Sequence, residues 1–453
     1  MESILKPDCQ PEVASKRASG PAKMKLKKSM FAKRPPPPEL AIEWSERNEV
    51  DLDLEQYCDI WRKTKCRAGI DSDPFISHIT NARCVAMDDD GRRVLHCEFS
   101  LPKHIQYSPG DLICVLAHNS DHDVDRILKV SDTDGELVFR VLSQGSSSLP
   151  ELCSARLVLQ QCRDLRAPIS RAMTVKLSSY CSEEERSVLL SSSSAAPLSL
   201  LSLLDLCPSC SPPFSVIIDS LPVMLPRYYS ISSSPASYGS SAHVVFTLLE
   251  HGICTQYLHH QISSIIDTPH ISGQPFSPVP ISIFLRQATD FKLPDDVNRS
   301  IIMVATGTGL APFRSFLQHR QFQISASASD LGHAYLFFGC RHPHGDFLYH
   351  EELDGFVAEG ALTQLVTAFS REDPENKVYV QDRLIEHGQM LYELIVVSDA
   401  VVYVCGDGRK MAKDVNDAYV RVLMKYGSMD QNAASDYIKK MVADKRYLQD
   451  IWS

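Results

Sequence analysis

The sequence predicts a protein of the α+β and α/β classes, in which an antiparallel β-barrel with a helical insertion precedes a doubly wound parallel sheet. Short β-rich runs such as ISHITNARCVAM and RRVLHCEFSL are broken by the turn sequences DDDG and SPGD, which is typical of antiparallel strands. After residue 299, four apolar runs (SIIMVAT, HAYLFFGC, LTQLVTAFS and AVVYVCGD) alternate with helical stretches. Strands that alternate with helices build a parallel sheet covered on both faces.

These patterns divide the chain into three regions. Residues 73–298 are predicted to form the barrel domain, with the helical insertion at about 121–225, and residues 299–453 the α/β domain. Residues 1–72 are predicted to be a disordered basic and proline-rich arm and an acidic linker, with one or two helices between 39 and 70. The stretch from Lys16 to Arg34 holds eight basic residues and no acidic one. It is therefore either a solvated linker or a nuclear-localisation or docking segment.

Composition narrows the class of function. The 453 residues carry a net charge of −10, so nucleic acid is not expected as a partner of the body of the chain. No apolar run is long enough to predict a membrane span, and the first residues, MESILKPDCQPEV, lack the apolar core of a signal peptide. The 14 cysteines follow no repeating pattern, so we expect reduced thiols in a cytoplasmic protein.

Chemistry is expected just after the strands of the parallel sheet, because such sheets bind ligands at the carboxyl ends of their strands. After the first strand, residues 305–313 read ATGTGLAPF, a glycine-rich turn that either binds a phosphate or is simply a turn. A hydroxyl, a guanidinium and an ammonium group follow the third strand, which together suit an oxygen-rich dianion, although each alone is typical of a surface turn. The residues in question are Ser370, Arg371, Lys377, Tyr379 and Gln381.

Three further segments carry candidate residues. Cys405 ends the fourth strand and Asp414 lies in the helix after it; taken alone, they read as a core thiol and an exposed acid. Upstream, RYYS at 227–230 places Arg227 and Tyr229 on one face of a short strand. GICT at 252–255 leads into a helix whose free N–H groups suit a phosphate.

Seven motifs occur in a fixed order: RYYS, GICT, GTGLAPF, FFGCRH, SR…KVYVQ, VYVCGD and a terminal DIWS. In this order the chain resembles the FAD- and NADPH-binding module of the diflavin reductases over about residues 74–453. The resemblance implies a ferredoxin–NADP reductase-like pair, in which the barrel holds FAD and the α/β domain holds NADPH. Extended stretches such as KRYLQDIWS are most similar to the branch that reduces the cobalamin enzyme methionine synthase, in methionine, folate and homocysteine metabolism.

The resemblance also assigns residues to the two cofactors. The residues assigned to FAD binding are Arg227, Tyr228, Tyr229, Ser230, Gly252, Ile253, Cys254, Thr255 and Trp452. Among these, Arg227 would pair with the pyrophosphate, Tyr229 would stack on the flavin, and Trp452 would cover its ring. The residues assigned to NADP binding are Arg83, Thr308, Ser370, Arg371, Lys377, Tyr379, Gln381 and Asp414. The catalytic group around the place of hydride transfer would be Ser230, Cys405, Asp450 and Trp452.

The implied activity is that of an NADPH-dependent flavoprotein reductase, in which a hydride passes to FAD and electrons then pass to an FMN or cobalamin acceptor. Only about 73 residues precede the barrel, whereas a flavodoxin-like FMN domain needs about 140. We therefore expect FMN only from a separate domain or partner. The implied partners are methionine synthase, an FMN-domain protein, or both. The alternative is a redox-inactive or diaphorase-only flavoprotein that binds or stabilises methionine synthase.

Two segments raise the question of a metal. CPSC at 207–210 has the spacing of a redox or zinc motif, but it lacks a second pair, so neither role is expected. Cys340, His342, His344 and His350 are close in sequence, but they lie in what the resemblance makes a strand-to-helix loop. The sequence therefore predicts no metal site.

Overall fold

The computed structural model describes residues 40–45, 71–88, 90–143, 149–192, 198–266, 277–327, 331–373 and 375–452. The basic stretch from Lys16 to Arg34 and most of the segment 39–70 lie outside the described residues. One or two helices were predicted between residues 39 and 70, and this prediction is wrong at Ala41–Trp44, which forms a strand. A strand is favoured here because the segment pairs with Val138–Ser143, where Trp44 packs edge-on against Phe139 with ring centroids 5.5 Å apart.

Within the described ranges the chain forms 14 strands in three sheets. Their bounds are β1 (Ala41–Trp44), β2 (Phe75–Met87), β3 (Arg93–Ser100), β4 (Leu112–Val115), β5 (Val138–Ser143), β6 (Leu152–Ser154), β7 (Arg227–Ser230), β8 (Ser241–Thr247), β9 (Val279–Arg286), β10 (Ile301–Thr306), β11 (Ala334–Cys340), β12 (Gln364–Phe369), β13 (Val401–Asp407) and β14 (Tyr447–Trp452). In the part of the chain described here, no helix is both long and apolar enough to cross a membrane.

The first large sheet is antiparallel and has the strand order β7-β4-β9-β2-β3-β8. Its edge strands approach each other where the N–H of Ser232 donates a 2.8 Å hydrogen bond to the carbonyl of His243. Ile79, Phe99 and Val244 are buried in its core, which the helix Ile253–Ile266 also covers. A short helix, Pro235–Tyr238, connects β7 to β8. The predicted antiparallel barrel is confirmed.

The predicted helical insertion lies between β4 and β7. Its helices are Asp121–Val130, Ala155–Leu157 with a π-helical continuation at Val158–Cys162, Arg171–Ser178, Glu183–Ser192, Leu200–Leu206 and Phe214–Ser220. The insertion also contains β5 and β6, which the sequence reading did not anticipate and which form a small antiparallel sheet with β1. Buried leucines from several of these helices form a core of the insertion's own.

The second large sheet is parallel and has the order β12-β11-β10-β13-β14. The four strands predicted after residue 299 are β10 to β13, whereas β14 was not predicted. Successive side chains of β10 enter two different cores: Ile301 and Met303 pack on one face, and Ile302 and Val304 on the other. The sheet is therefore doubly wound, as expected.

Helices cover both faces of this sheet. They are Ala311–Ser327 after a 3₁₀ turn at Gly307–Leu310, His350–Ala358, Val380–Glu386, Gly388–Tyr392 with a π-helical end at Glu393–Val397, Arg409–Gly427 and Gln431–Ala443. The helical stretch YVQDRLIEHGQMLYELI at 379–395, one of those that alternate with the strands, is interrupted at His387. Gly388 packs closely there, because an added Cβ would lie 2.6 Å from the ring of Tyr426.

Buried polar contacts join the barrel to the parallel sheet. Arg314 Nη1 donates to the carbonyl of Ser232 at 2.8 Å, and Ser315 Oγ donates to the carbonyl of Ser233 at 2.7 Å. The side chain of Gln318 accepts a 2.9 Å hydrogen bond from the N–H of Ser234. These contacts hold the end of β7 beside the carboxyl ends of the parallel strands, where the candidate site lies.

Candidate functional site

Three of the predicted catalytic residues meet at the junction of the two large sheets. Ser230 Oγ, at the end of β7, donates a 2.8 Å hydrogen bond to Asp450 Oδ2. Cys405 Sγ lies 3.9 Å from the same oxygen, within hydrogen-bond distance for sulfur. Cys405 and Asp450 are neighbours in the β13–β14 pairing, so the backbone register itself brings thiol and carboxylate together. The unpredicted strand β14 is thus the element that positions Asp450.

The surroundings alter the protonation of this group. Burial raises the pKa of Asp450, and hydrogen bonds from Ser230 and Cys405 oppose that rise. Burial raises the pKa of the Cys405 thiol well above its ordinary value, and the nearby Asp450 carboxylate raises it further. Cys405 is therefore a neutral thiol over the working pH range. The cluster offers one half-buried carboxylate with two donors from different strands.

Trp452 lies at the end of β14. It stands opposite Asp407 in the strand pairing, and its carbonyl accepts a 2.8 Å hydrogen bond from the N–H of Gly408. Its side chain is 39% exposed. The backbone of Trp452 is anchored in the sheet, so any movement of its indole ring is a movement of the side chain.

Arg227 of the RYYS segment is already paired with a carboxylate. Its Nη2 lies 2.9 Å from Asp164 Oδ2. The other oxygen of Asp164 accepts backbone N–H bonds from Arg166 and Ala167 at 3.0 and 2.7 Å, which fixes the carboxylate. Asp164 therefore orients the guanidinium predicted to hold the FAD pyrophosphate. The sequence reading missed it because Asp164 belongs to the insertion and stands in no motif.

The two tyrosines of RYYS lie on opposite sides of β7. Tyr228 is exposed, and the guanidinium of Arg286 lies 4.4 Å from its ring centroid. Asp71 holds Arg286 through two contacts of 2.7 and 2.9 Å. Tyr229 packs against Phe246, with ring centroids 5.8 Å apart.

Tyr229 also links RYYS to the GICT segment. Its ring packs against the buried core to which Cys254 belongs. Burial raises the pKa of Tyr229 well above the ordinary value, and the Cys254 thiol raises it further. At Gly252 an added Cβ would lie 2.5 Å from Thr255 Oγ1 and 3.0 Å from Leu249 Cβ, so the turn requires glycine. The helix that starts at Ile253 presents its N-terminus beside this turn. Both predicted FAD segments, 227–230 and 252–255, are thus brought together, as an FAD site requires.

The glycine-rich turn of the α/β domain packs against Cys405 of the Ser230–Cys405–Asp450 cluster. An added Cβ at Gly309 would lie 2.3 Å from the carbonyl oxygen of Cys405. Gly307 adopts φ +52°, and no heavy atom of the described residues lies within 4 Å of its added Cβ. Thr308 is half-buried between these glycines. The turn is close to Cys405 and exposes backbone to a ligand, which suits the phosphates of a nucleotide.

Arg371, predicted to bind a phosphate, is paired with the barrel. Its Nη1 lies 3.2 Å from Asp90 Oδ2, in the turn between β2 and β3. Arg341 approaches the same carboxylate at 3.7 Å and binds Asp88 at 2.6 Å. Two guanidinium groups therefore meet at one exposed carboxylate that an anion could replace. The sequence reading missed Arg341, although it stands in the FFGCRH motif, and it missed Asp90, which was interpreted only as part of a turn.

The other predicted NADP residues occupy the same edge of the sheet or its helices. Ser370 follows β12, and its Oγ donates to the carbonyl of Cys340 at 3.4 Å. Lys377 and Tyr379 are exposed, and Gln381 lies in the first turn of the helix that Tyr379 caps. Asp414 lies in the second turn of the helix after β13.

Arg83, the barrel residue predicted to touch NADP, has a different contact in the structure. It lies on β2 and pairs with Glu98 on β3, with Nη1 and Oε1 3.4 Å apart. Its guanidinium would have to leave Glu98 to reach a nucleotide.

Comparisons with known proteins agree with these cofactors. Residues 70–257 match the family model described as an FAD binding domain, and residues 303–417 match the one described as an oxidoreductase NAD-binding domain. Methionine synthase reductase of Homo sapiens is 35% identical over 394 residues, covering 77% of this chain and 56% of that protein. The Rattus norvegicus protein of the same name is 33% identical over 422 residues, covering 83% of this chain and 60% of that protein.

NADPH–cytochrome P450 reductase of Musca domestica is also similar, at 32% identity over 393 residues, with 80% of this chain and 56% of that protein covered. The chain thus spans a little over half the length of the curated relatives that it matches. Through its FAD- and NADP-binding domains, this chain belongs to the diflavin reductase family and is a flavoprotein oxidoreductase.

Proposed function

We propose that this chain is the NADPH-oxidising half of a methionine synthase reductase system, which passes electrons to an FMN-bearing domain or partner. The identity to methionine synthase reductases, up to 35%, supports this branch, although P450 reductases follow at up to 32%. The chain covers 56% of the human relative, so the acceptor is part of the proposal. When bound, NADPH supplies a hydride that FAD accepts, and FAD then releases electrons singly.

The observation that carries the proposal is the contact between Ser230 and Asp450. It joins the end of a barrel strand to the end of a strand in the parallel sheet, at 2.8 Å. We propose that Ser230 presents its O–H group, Cys405 its S–H group and Asp450 its carboxylate to the reacting flavin and nicotinamide rings. Because Cys405 is buried and Ser230 and Asp450 are half-buried, the electrostatic effect of the group is stronger than it would be in water.

On the nucleotide side, we assign the 2′-phosphate of NADPH to Ser370, Arg371 and Lys377. Arg371 would exchange the exposed carboxylate of Asp90 for the phosphate, with which a guanidinium makes charge-assisted and often bidentate contacts. Tyr379 is exposed at a helix N-terminus, where its ring can stack on the adenine. Thr308 and Asp414 are assigned to the rest of the nucleotide.

On the flavin side, we assign the FAD pyrophosphate to Arg227 and to the backbone N–H groups of 252–255. Asp164 holds the guanidinium of Arg227 in place before FAD binds. Tyr229 and Trp452 are assigned to the isoalloxazine ring. The close packing at Gly252 keeps the helix N-terminus accessible to the anion.

The first experiment is NADPH oxidation with ferricyanide as the acceptor, together with identification of the flavin released on denaturation. We expect turnover and stoichiometric FAD without FMN. A flavin-loaded chain that binds NADPH but does not oxidise it would favour the alternative, a flavoprotein that binds or stabilises methionine synthase without passing electrons.

The second experiment identifies the acceptor. Separately produced FMN domains of a methionine synthase reductase and of a P450 reductase are added to the chain, each followed by its own terminal acceptor. We expect NADPH-driven reactivation of oxidised methionine synthase with the first, and slower cytochrome reduction with the second. The reverse order of rates would assign the chain to the P450 reductase branch.

A further inference from the structure

The helical insertion contains a cluster of cysteines for which the proposed redox function has no use. Cys207 and Cys210, of the CPSC segment, lie between the helices Leu200–Leu206 and Phe214–Ser220. Cys181 lies just before the helix Glu183–Ser192, which also carries Glu185. The fold brings these two segments together, although they are separated in the sequence.

The side chains converge on one small volume. One ligand-type atom from each of Cys181, Glu185 and Cys207 lies within 4.8 Å of the other two. The Cys210 and Cys181 sulfur atoms both approach the carbonyl oxygen of Leu177, at 3.7 and 3.6 Å. The N–H of Cys210 donates to the carbonyl of Cys207 at 3.0 Å, which closes the CPSC segment into a tight turn.

The Glu185 carboxylate is fixed by the same turn. It accepts hydrogen bonds from the N–H of Ser209, with distances of 3.3 and 3.2 Å to its two oxygens, and from the Ser209 hydroxyl. Metal-binding carboxylates are commonly oriented by such outer hydrogen bonds. Glu185 is therefore held beside the sulfur atoms by a residue of the CPSC segment itself.

The three sulfur atoms have only weak partners within the protein. Their contacts are to backbone carbonyls: Cys181 to Leu177 at 3.6 Å, Cys210 to Leu177 at 3.7 Å, and Cys207 to Glu185 at 3.8 Å. Cys207 and Cys210 are buried. Three thiols and a carboxylate, of which Cys181, Glu185 and Cys207 lie within 4.8 Å of one another and Cys210 shares a backbone carbonyl with Cys181, match the ligand number and type of a structural zinc site.

We propose that Cys181, Cys207, Cys210 and Glu185 bind one zinc ion that cross-links the helical insertion. On binding, each thiol loses its proton to solvent and forms a Zn–S bond, while the carboxylate supplies an oxygen ligand. The four protein ligands complete a tetrahedral shell, so the ion is structural and carries out no reaction. The sequence reading rejected zinc because CPSC lacks a second pair, and the fold supplies that pair as Cys181 and Glu185.

A second cluster of metal-ligand type in the described residues serves as a contrast. His96, Glu98 and His243 also lie within 4.8 Å of one another. There, however, Arg83 lies 3.4 Å from Glu98, and the positive charge of Arg314 also acts on both histidines. The positive charges of Arg83 and Arg314 would repel a metal ion bound by these three side chains. In the cysteine cluster the nearby Arg186 pairs with Glu183 instead, at 3.9 Å.

The test is metal analysis of the whole chain, purified with zinc present and then passed over a column that removes loosely held ions. We expect about one zinc per chain, released on titration of thiols with a mercurial reagent. Replacement of zinc by Co²⁺ should produce the thiolate-to-cobalt charge-transfer absorption and the strong visible bands of a tetrahedral site.

Variants identify the ligands. Cys181→Ser and Cys207→Ser should lose the zinc, whereas Cys84→Ser, at an exposed cysteine outside the cluster, should retain it. If a ligand variant fails to fold, the cobalt spectrum and the mercurial titration of the unmodified chain still show whether the thiols bind a metal ion. A chain in which the three ligand thiols are free but no zinc or cobalt binds, or one whose mass reveals a disulfide within the cluster, would overturn the proposal. Neither result depends on NADPH oxidation, so the test is independent of the proposed function.

Discussion

The hydroxyl of Ser230 and the carboxylate of Asp450, 220 residues apart in sequence, form a 2.8 Å hydrogen bond across the two large sheets. Asp450→Asn keeps the shape of this contact and removes the charge. We expect flavin reduction by NADPH to slow on the order of tenfold to a hundredfold, with FAD still bound. Stopped-flow absorbance of the flavin measures the rate. A rate equal to that of the unmodified chain would make the contact a purely structural one.

The same carboxylate should determine a pH dependence. Burial raises the pKa of Asp450, so the protonated form persists to higher pH than for an ordinary aspartate. If the ionised form is the active one, the rate of flavin reduction falls as the pH drops through this raised pKa. The Asn variant should lack that limb of the profile. A limb that remains in Asp450→Asn belongs to another group.

Cys405→Ala should slow flavin reduction without loss of FAD, because the thiol touches Asp450 but neither of the predicted FAD segments. Cys340→Ala is the matched control: it removes a buried thiol at the end of the neighbouring strand β11. We expect the control to retain the normal rate. Equal effects of the two substitutions would show that Cys405 only fills space in the core.

The pairing of Arg371 with Asp90 predicts opposite effects of two substitutions. Arg371→Ala should lower kcat/KM for NADPH by about tenfold to a hundredfold while leaving that for NADH little changed, because hydrogen bonds to charged groups contribute about 1.5–3 kcal/mol. Asp90→Asn removes the competing carboxylate, which is 70% exposed. Such exposed pairs contribute at most about 1 kcal/mol, so NADPH should bind a few-fold more tightly. Loss of NADPH affinity in Asp90→Asn would contradict this account.

Trp452→Ala removes the indole but keeps the carbonyl that accepts from Gly408. If the ring covers the flavin, nicotinamide nucleotides should bind more tightly and discrimination against NADH should shrink, because the nicotinamide gains the stacking surface. Release of the oxidised nucleotide should slow. Trp452→Phe retains a flat ring and should behave more like the unmodified chain. If the Ala variant shows unchanged affinity for nicotinamide nucleotides and unchanged preference for NADPH over NADH, Trp452 is only a packing residue.

The buried histidines predict a loss of stability in acid. Burial lowers the pKa of His243 to about 3, with His96 adding to the effect. Between this value and the ordinary 6.5 the unfolded chain binds more protons, so stability falls as the pH drops, by about 1.4 kcal/mol per pH unit. The groups that face His243 are His96, Glu98, Tyr238, Arg83 and Arg314.

His243→Asn should make the urea midpoint less dependent on pH between 6.5 and 5. His251→Asn, at an exposed histidine, is the control and should leave the dependence unchanged. If both variants follow the unmodified chain, other groups cause the acid sensitivity.

The alternation of strands and helices was sufficient to predict the parallel sheet, because both faces of each strand are buried and the runs are continuously apolar. The same reasoning missed β14, whose sequence YLQDIW mixes polar and apolar residues as an edge strand can. Motif order placed Ser230, Cys405 and Asp450 in one site, and their contact is present in the structure.

Residues outside the motifs could not be found in this way. Asp164 and Asp90 pair with arginines that are distant in sequence. Nothing in the sequence around either aspartate indicates which arginine it will contact. Cys181 is the clearest case: nothing in its own neighbourhood indicates that it will lie beside the CPSC segment. These contacts arise from the packing of the insertion and from the docking of the two domains.

The position of β14 has a consequence for how the site is made in the cell. Domains tend to fold in the order in which they leave the ribosome, and the barrel emerges long before Asp450. Until then the barrel has Ser230 without its carboxylate, and β13 presents an unpaired edge that can recruit other chains. A chain that stopped before residue 450 would therefore keep Ser230 and Cys405 without the carboxylate that meets them, and it would expose the edge of β13 to other chains.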